Sequence, residues 1–126
     1  MQDEYVRTVT ALDRNHDGDS LWLTVSLGFR ASITESFRLL GIDSPELKAP
    51  TLEAARASRD YLNGRLRGAL AEGREVTIKS YKPFGAYTKD KYGRWLAVIF
   101  VDGVDVNQEM VQKGYAVPYF GGQRGG

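Results

Sequence analysis

Residues 20–40 read SLWLTVSLGFRASITESFRLL, and this stretch decides the fold. Its two halves, residues 20–27 and 32–40, are rich in valine, leucine, isoleucine, threonine and phenylalanine. This composition is typical of β-strands, and the glycine at position 28 favours a turn between them. We therefore predict two strands joined around Gly28.

The pattern continues upstream of this pair of strands. Residues 5–12 have the same strand-like composition, and the segment 15–19 connects them to the next strand. Within that segment Gly18 follows an aspartate, a dipeptide that tolerates the positive φ angles needed in many hairpin turns. We predict a third strand and a tight turn containing Gly18.

Downstream, Pro45 and Pro50 interrupt the strand pattern, and apolar residues then recur at helical spacing. Thr51 is placed to cap a helix of about five turns, and Gly73 is a natural stop. Further predicted elements are strands at residues 75–80 and 94–101 and a second helix at residues 104–113. The predicted fold class is α+β, mainly a β-barrel of five strands with two flanking α-helices.

The composition indicates one globular domain without disulfides. The chain has 126 residues, 42% of them hydrophobic, and no cysteine. Its net charge is only +1, but acids predominate in residues 1–20 and lysines in residues 79–94. No signal peptide is recognisable and no run reaches the ~20 apolar residues that span a bilayer, so we expect a soluble chain, secreted in a mature form or cytoplasmic.

Four short polar motifs occur in order along the chain. They are Asp17-Gly-Asp-Ser, Phe37-Arg-Leu, Asp43-Ser-Pro-Glu and Asp90-Lys-Tyr-Gly-Arg. Together they supply carboxylates and two arginines. A site that attacks a phosphodiester needs a cation on the non-bridging oxygens, guanidiniums for the developing charge and a carboxylate to position water.

These motifs, in this order and with strands between them, resemble the staphylococcal nuclease (thermonuclease) family over about residues 5–120. Each motif alone is weak, because such turns are common; their joint order carries the resemblance. The resemblance implies an OB-fold barrel and a calcium-dependent phosphodiesterase acting on DNA and RNA, single-stranded or flexible, that leaves 3′-phosphate ends.

The resemblance also implies a metal site and catalytic residues. Asp19, Asp43 and the backbone carbonyl of Ser44 would bind Ca²⁺; the alternative is that these residues only form turns. The implied catalytic residues are Arg38, Glu46 and Arg94. The alternatives are an ion pair of Arg38 with an acid such as Glu35, a carboxylate near the helix start for Glu46, and a solvated arginine at position 94.

A loop of interleaved lysines and aromatic rings is expected to contact the substrate, because lysines bind phosphates and rings stack on bases. The residues assigned to substrate binding are Lys82, Tyr87, Lys89, Lys91 and Tyr119. The alternative for the loop residues is a solvated loop with its rings packed on the barrel.

The predicted nuclease domain covers residues 1–120, and residues 121–126 form a glycine-rich tail expected to be disordered. A monomer is expected, although an oligomer would also be possible. Two other functions fit the sequence less well. One is a non-catalytic module that binds nucleic acid or protein, and the other is a domain that uses calcium for stability only.

Overall fold

The structure is a computed structural model that describes residues 3–82 and 94–119. The strands over these residues are β1 (Asp3–Asp17), β2 (Ser20–Gly28), β3 (Ala31–Leu39), β4 (Ile42–Asp43), β5 (Val76–Lys82), β6 (Trp95–Val101), β7 (Val104–Asp105) and β8 (Val117–Pro118). The helices are α1 (Leu52–Ala71) and α2 (Val106–Gln112).

Five strands, β1, β2, β3, β5 and β6, close into a barrel. The hydrogen-bonded order is β3-β2-β1-β5-β6, and the parallel pairing of β3 with β6 closes the sheet. The short strand β7 adds to the sheet beside β6. This closure pairs Phe37 with Trp95, Arg38 with Leu96 and Leu39 with Ala97. The predicted five-stranded barrel with two flanking helices is confirmed, and β4 and β8 form a separate small sheet that was not predicted.

Alternating residues of the strands fill the barrel. On β2, Leu21, Leu23 and Val25 are buried, whereas the residues between them face outward. Leu62 and Leu66 of α1 are also completely buried, and with Met110 of α2 they belong to the same core. The helical spacing on α1 is what the sequence predicted, and the alternation on β2 is expected of a strand with one face in the core.

The first hairpin differs from its prediction. β1 extends to Asp17, which pairs with Ser20, so only Gly18 and Asp19 form the turn. The predicted connection at residues 15–19 is therefore too long. Gly18 is also absent from the described glycines with positive φ, so the predicted reason for a glycine at this position is wrong.

The helix boundaries are close to those predicted. α1 starts after Thr51, whose hydroxyl donates to the carbonyls of Glu46 and Lys48 and makes no side-chain cap to the helix. The second helix, α2, is shorter than predicted. Val104 and Asp105, the first two residues of the predicted helix, form β7 and pair with β6. Asp105 also caps α2, because its side chain accepts from the Gln108 N–H. Neither of the two helices in the described ranges is long and apolar enough to cross a membrane.

One buried polar side chain connects α2 to the barrel. Asn107 donates to the carbonyls of Leu40 and Ala97, at 2.9 and 3.1 Å, and accepts from the Ile99 N–H at 3.1 Å. Leu40 immediately precedes the segment that carries Asp43, so these bonds fix that segment against β6.

Candidate active site

The turn of the first hairpin brings Asp19 to one end of the barrel. Its carbonyl accepts from the Leu39 N–H at 2.8 Å, and its N–H donates to Asp17 Oδ1 at 3.0 Å. Its carboxylate accepts from the Ser44 N–H, with 2.7 Å between Oδ2 and the nitrogen. Asp19 is therefore held by a local contact within its own turn and by two contacts from residues 39 and 44, which are distant in sequence.

Arg38 lies at the end of β3, opposite Ser20 of β2. Its Nη2 donates to Asp43 Oδ1 at 3.1 Å, and its Nη1 lies 3.7 Å from Asp19 Oδ2. The same Nη1 donates to the carbonyls of Leu39 and Ile42. The guanidinium thus contacts both carboxylates that the sequence assigned to the metal.

The sequence also suggested an alternative role for Arg38, an ion pair with an acid such as Glu35, and the structure shows an ion pair with a different acid. Glu35 accepts a hydrogen bond from Trp95 Nε1 at 2.9 Å. Arg38 is instead paired with Asp43, five residues along the chain. The ion pair exists, but its partner belongs to the candidate site.

Both carboxylates are almost completely buried, with exposed fractions of 3% for Asp19 and 6% for Asp43. Burial raises the pKa of Asp19 above its ordinary value of 3.8, and the neighbouring Asp17 raises it further. Arg38 and the Ser44 N–H act in the opposite direction and only partly offset this effect. A bound cation would favour the charged form of such a carboxyl.

The turn at Gly18 packs directly against α1. A Cβ at this position would lie 1.9 Å from Ser58 Oγ and 2.9 Å from the Cβ of Ser44. Ser58 is fully buried, and its hydroxyl has no hydrogen-bond partner in the described part of the chain. Glycine is needed here for space, since any side chain would push the turn and Asp19 away from the helix.

Arg94 reaches the site from the start of β6. Its Nη1 donates to Ser20 Oγ, and that hydroxyl lies 3.4 Å from Asp19 Oδ1, to which it donates. The predicted arginine therefore lies beside the predicted metal ligands. Ser20 was not singled out from the sequence, although it directly follows Asp19 in the first motif.

Glu46 lies three residues beyond Asp43, on the way to α1. Its carboxylate is 3.0 Å from Lys48 Nζ, and its side chain is 40% exposed. Its contact with the helix start is made by its backbone carbonyl, which accepts from Thr51. Its assignment as the residue that activates water stays a prediction.

The two tyrosines after α2 have different surroundings. The Tyr119 ring lies 5.5 Å from the Arg38 guanidinium, and its N–H donates to the Gly41 carbonyl. Tyr115 instead stacks on Tyr61 of α1, with the ring centroids 4.5 Å apart. Of these two rings, Tyr119 is the one beside the candidate site.

The remaining residues assigned to substrate binding are not described. Lys82 ends β5, but its side chain lies outside the described part of the chain, as do Tyr87, Lys89 and Lys91. Their roles stay predictions, and so do the domain limits, since residues 120–126 are also outside.

Comparison with known proteins gives the same family as the motifs. The family model described as "Staphylococcal nuclease homologue" matches residues 36–124, more than half of the chain. The chain belongs to this family. The model match includes Arg38, Asp43, Glu46 and Arg94, and Asp19 lies before it.

Several curated proteins are similar to the chain. It is 34% identical over 119 residues to Endonuclease YhcR of Bacillus subtilis (strain 168), covering 86% of this chain and 9% of that protein. It is 29% identical to the SPbeta prophage-derived endonuclease YokF and 28% identical to Endonuclease YncB of the same organism. Those alignments each cover 83% of this chain, and 32% and 45% of the relatives. The chain therefore spans less than half the length of each.

Staphylococcal nuclease homologues are a family that uses a metal ion. Within residues 3–82 and 94–119, no group of three or more histidine, cysteine, aspartate or glutamate side chains could hold a metal. Asp19 and Asp43 supply carboxylate oxygens, which hard cations such as Ca²⁺ prefer. A cation there would also offset the burial that opposes ionisation of Asp19. The two residues fit such an ion if backbone, water or substrate oxygens complete its ligands.

Proposed function

We propose that this chain is a calcium-dependent nuclease that hydrolyses phosphodiester bonds in DNA and RNA and leaves 3′-phosphate ends. The observation that carries the proposal is the convergence of Asp19, Asp43 and Arg38 at one end of the barrel. Membership of the staphylococcal nuclease homologue family and the names of the endonuclease relatives support it.

Asp19, Asp43 and the carbonyl of Ser44 would hold the calcium ion. A calcium ion bound there supplies charge to neutralise the phosphate and to polarise its phosphorus–oxygen bonds. The Ser44 N–H keeps one Asp19 oxygen oriented, and Ser20 contacts the other. These contacts fix the carboxylate before substrate arrives, which lowers the reorganisation needed during the reaction.

The two arginines would bind the charge that develops on the phosphate. A guanidinium has five N–H donors in one plane, so Arg38 can keep its contacts to Asp43 and the backbone while it turns an edge to a phosphate oxygen. Arg94 would stabilise the pentacoordinate phosphate and the leaving 5′-oxygen from the Ser20 side. Tyr119, packed on Arg38, would contact the nucleotide.

Glu46 would take the proton of the attacking water. The water oxygen forms a bond to phosphorus, the bond from phosphorus to the 5′-oxygen breaks, and that oxygen takes a proton from solvent. Because its side chain is partly exposed, Glu46 can leave Lys48 and turn toward the phosphate.

Cleavage of single-stranded DNA and RNA, with calcium or with EGTA, tests the proposal. We expect degradation with calcium and its loss in EGTA, and products whose 5′ ends accept a kinase label without prior dephosphorylation. Undiminished cleavage in EGTA would remove the metal assignment. Intact substrate beside folded protein in calcium would favour a non-catalytic binding module instead.

Glu46→Gln tests the assigned base separately. The amide keeps the size of the side chain and cannot accept the proton of water, so we expect kcat to fall by about 10²- to 10⁴-fold with little change in KM. Glu53→Gln, in the first turn of α1, is the matched control because it removes another exposed carboxylate. Equal rates for the two variants would exclude Glu46 as the base.

A further inference from the structure

A polar cavity lies beside the candidate active site, on the outer face of the barrel. Its volume is about 520 Å³, within the range of small-molecule sites. Its lining includes Arg14 of β1, Trp22 of β2, Ser36 of β3 and Arg94. Trp22 pairs with Arg14 on one neighbouring strand and with Ser36 on the other, so these three residues form one row across the sheet.

The cavity is continuous with the candidate site. Ser20 lines it and is two residues before Trp22, so both side chains lie on the same face of β2. Ser20 accepts from Arg94 and donates to Asp19. Two residues along a strand advance roughly 6.5–7 Å. The row of Arg14, Trp22 and Ser36 therefore lies about this distance from the pair formed by Ser20 and Arg38.

The side chains of the cavity suit an anion that carries a flat ring. The Arg14 guanidinium lies 5.8 Å from the centre of the Trp22 ring, an arrangement in which cation and indole attract. Arg14 and Arg94 are both cationic, and none of the described residues in the lining is acidic. A phosphate can bind the guanidinium while a base stacks on the indole.

The cationic part of this face is short. Beyond Trp22 on β2, Thr24 donates to Asp13 Oδ2 at 2.6 Å and contacts Thr34 at 2.8 Å. A second phosphate placed there would meet the Asp13 carboxylate, which repels it. The positive charge on this face, from Arg14 and Arg94, therefore extends over about one nucleotide before the acidic Asp13.

We propose that this cavity is a subsite for the nucleotide next to the reacting phosphate, with its base on Trp22 and its phosphate on Arg14. The inference rests on the proposed function, because Asp19 and Arg94 mark the reacting phosphate. Tyr119 follows β8 and contacts Arg38 from beside Gly41, just after β3, whereas Trp22 lies two residues along β2 from Ser20, the residue that pairs with Arg38. The substrate strand then has an aromatic ring on each side of Arg38.

Binding of short oligothymidylates to the full chain tests the subsite. The oligomers are lengthened one nucleotide at a time from a dinucleotide, in EGTA and at low salt, with their integrity checked on a gel. We expect one added nucleotide to raise affinity on the order of tenfold, as base stacking on an aromatic ring does. Trp22→Ala should abolish that step, and Trp22→Phe should keep most of it.

Arg14→Ala should reduce the same step, and Arg7→Ala is the matched control because it removes an exposed arginine from the same strand. Thermal unfolding of each variant verifies that it is folded. An unchanged step in Trp22→Ala overturns the subsite, and so does a failure of every oligomer to bind.

The two proposals fail separately. Calcium-dependent cleavage together with a step that does not depend on Trp22 removes the subsite and keeps the nuclease. A step that depends on Trp22, in a chain that cleaves nothing with calcium, removes the nuclease and supports a nucleotide site in the cavity.

Discussion

Arg38→Lys is expected to lower kcat by about a hundredfold to a thousandfold, the usual cost of losing one donor that is directed at transition-state charge. Lysine keeps the positive charge but has a single nitrogen. It cannot contact Asp43, the carbonyls at the end of β3 and the start of β4, and a phosphate oxygen together. Steady-state kinetics on single-stranded DNA with saturating calcium measures the loss.

Arg65→Lys is the matched control for this substitution. Arg65 makes a two-point contact with Glu109, with 2.9 Å between Nε and Oε2, and like Arg38 it is largely buried. We expect it to lose stability without losing kcat. If both lysine variants keep kcat and differ only in melting temperature, Arg38 has a structural role and no part in the reaction.

Gly18→Ala is expected to destabilise the fold by about 1–3 kcal/mol, the usual cost of overpacking a buried site. The added Cβ would lie 1.9 Å from Ser58 Oγ, so either the first hairpin or α1 has to move. Movement of the hairpin displaces Asp19 from Ser44 and weakens the proposed metal site. Thermal unfolding with and without calcium should show a lower melting temperature and a smaller rise on adding calcium.

Gly64→Ala is the control with the opposite expected sign. Gly64 lies inside α1, and a Cβ there meets nothing within 4 Å among the described residues. Alanine should therefore stabilise the helix by about 0.5–1 kcal/mol.

A second variant tests the contact itself. Adding Ser58→Gly to Gly18→Ala should restore part of the lost stability, because it removes the Ser58 atoms nearest to the added Cβ. A Gly18→Ala protein as stable as the parent would contradict the close packing of turn and helix.

Local features of the sequence were sufficient for the long elements and the fold class. Strand-like composition predicted β2, and helical spacing predicted α1 in spite of Gly64 and Gly68. Composition and spacing of this kind are set by residues close together in the chain, so they can be recognised without any long-range contact. The ordered motifs likewise predicted the family, because their residue types and order are properties of the chain itself.

Short or long-range features escaped this reasoning. β4 and β8 are each two residues long, which is too short for a periodic pattern in the sequence. Gly18 was assigned to a backbone conformation because its neighbour in sequence is an aspartate, whereas its actual constraint comes from Ser58, forty residues away. Local propensity contains no information about such an approach.

Only the tertiary structure decided which contacts bring the candidate site residues together. Closure of the barrel by β3 and β6 brings Arg94 to Ser20, and the pairing of β4 with β8 brings Tyr119 rather than Tyr115 to Arg38. The same closure places Arg94 in the lining of the cavity that includes Trp22. Contacts between segments this far apart depend on how the chain closes on itself, and many closures are compatible with the same local pattern, so the chain order alone could not select them.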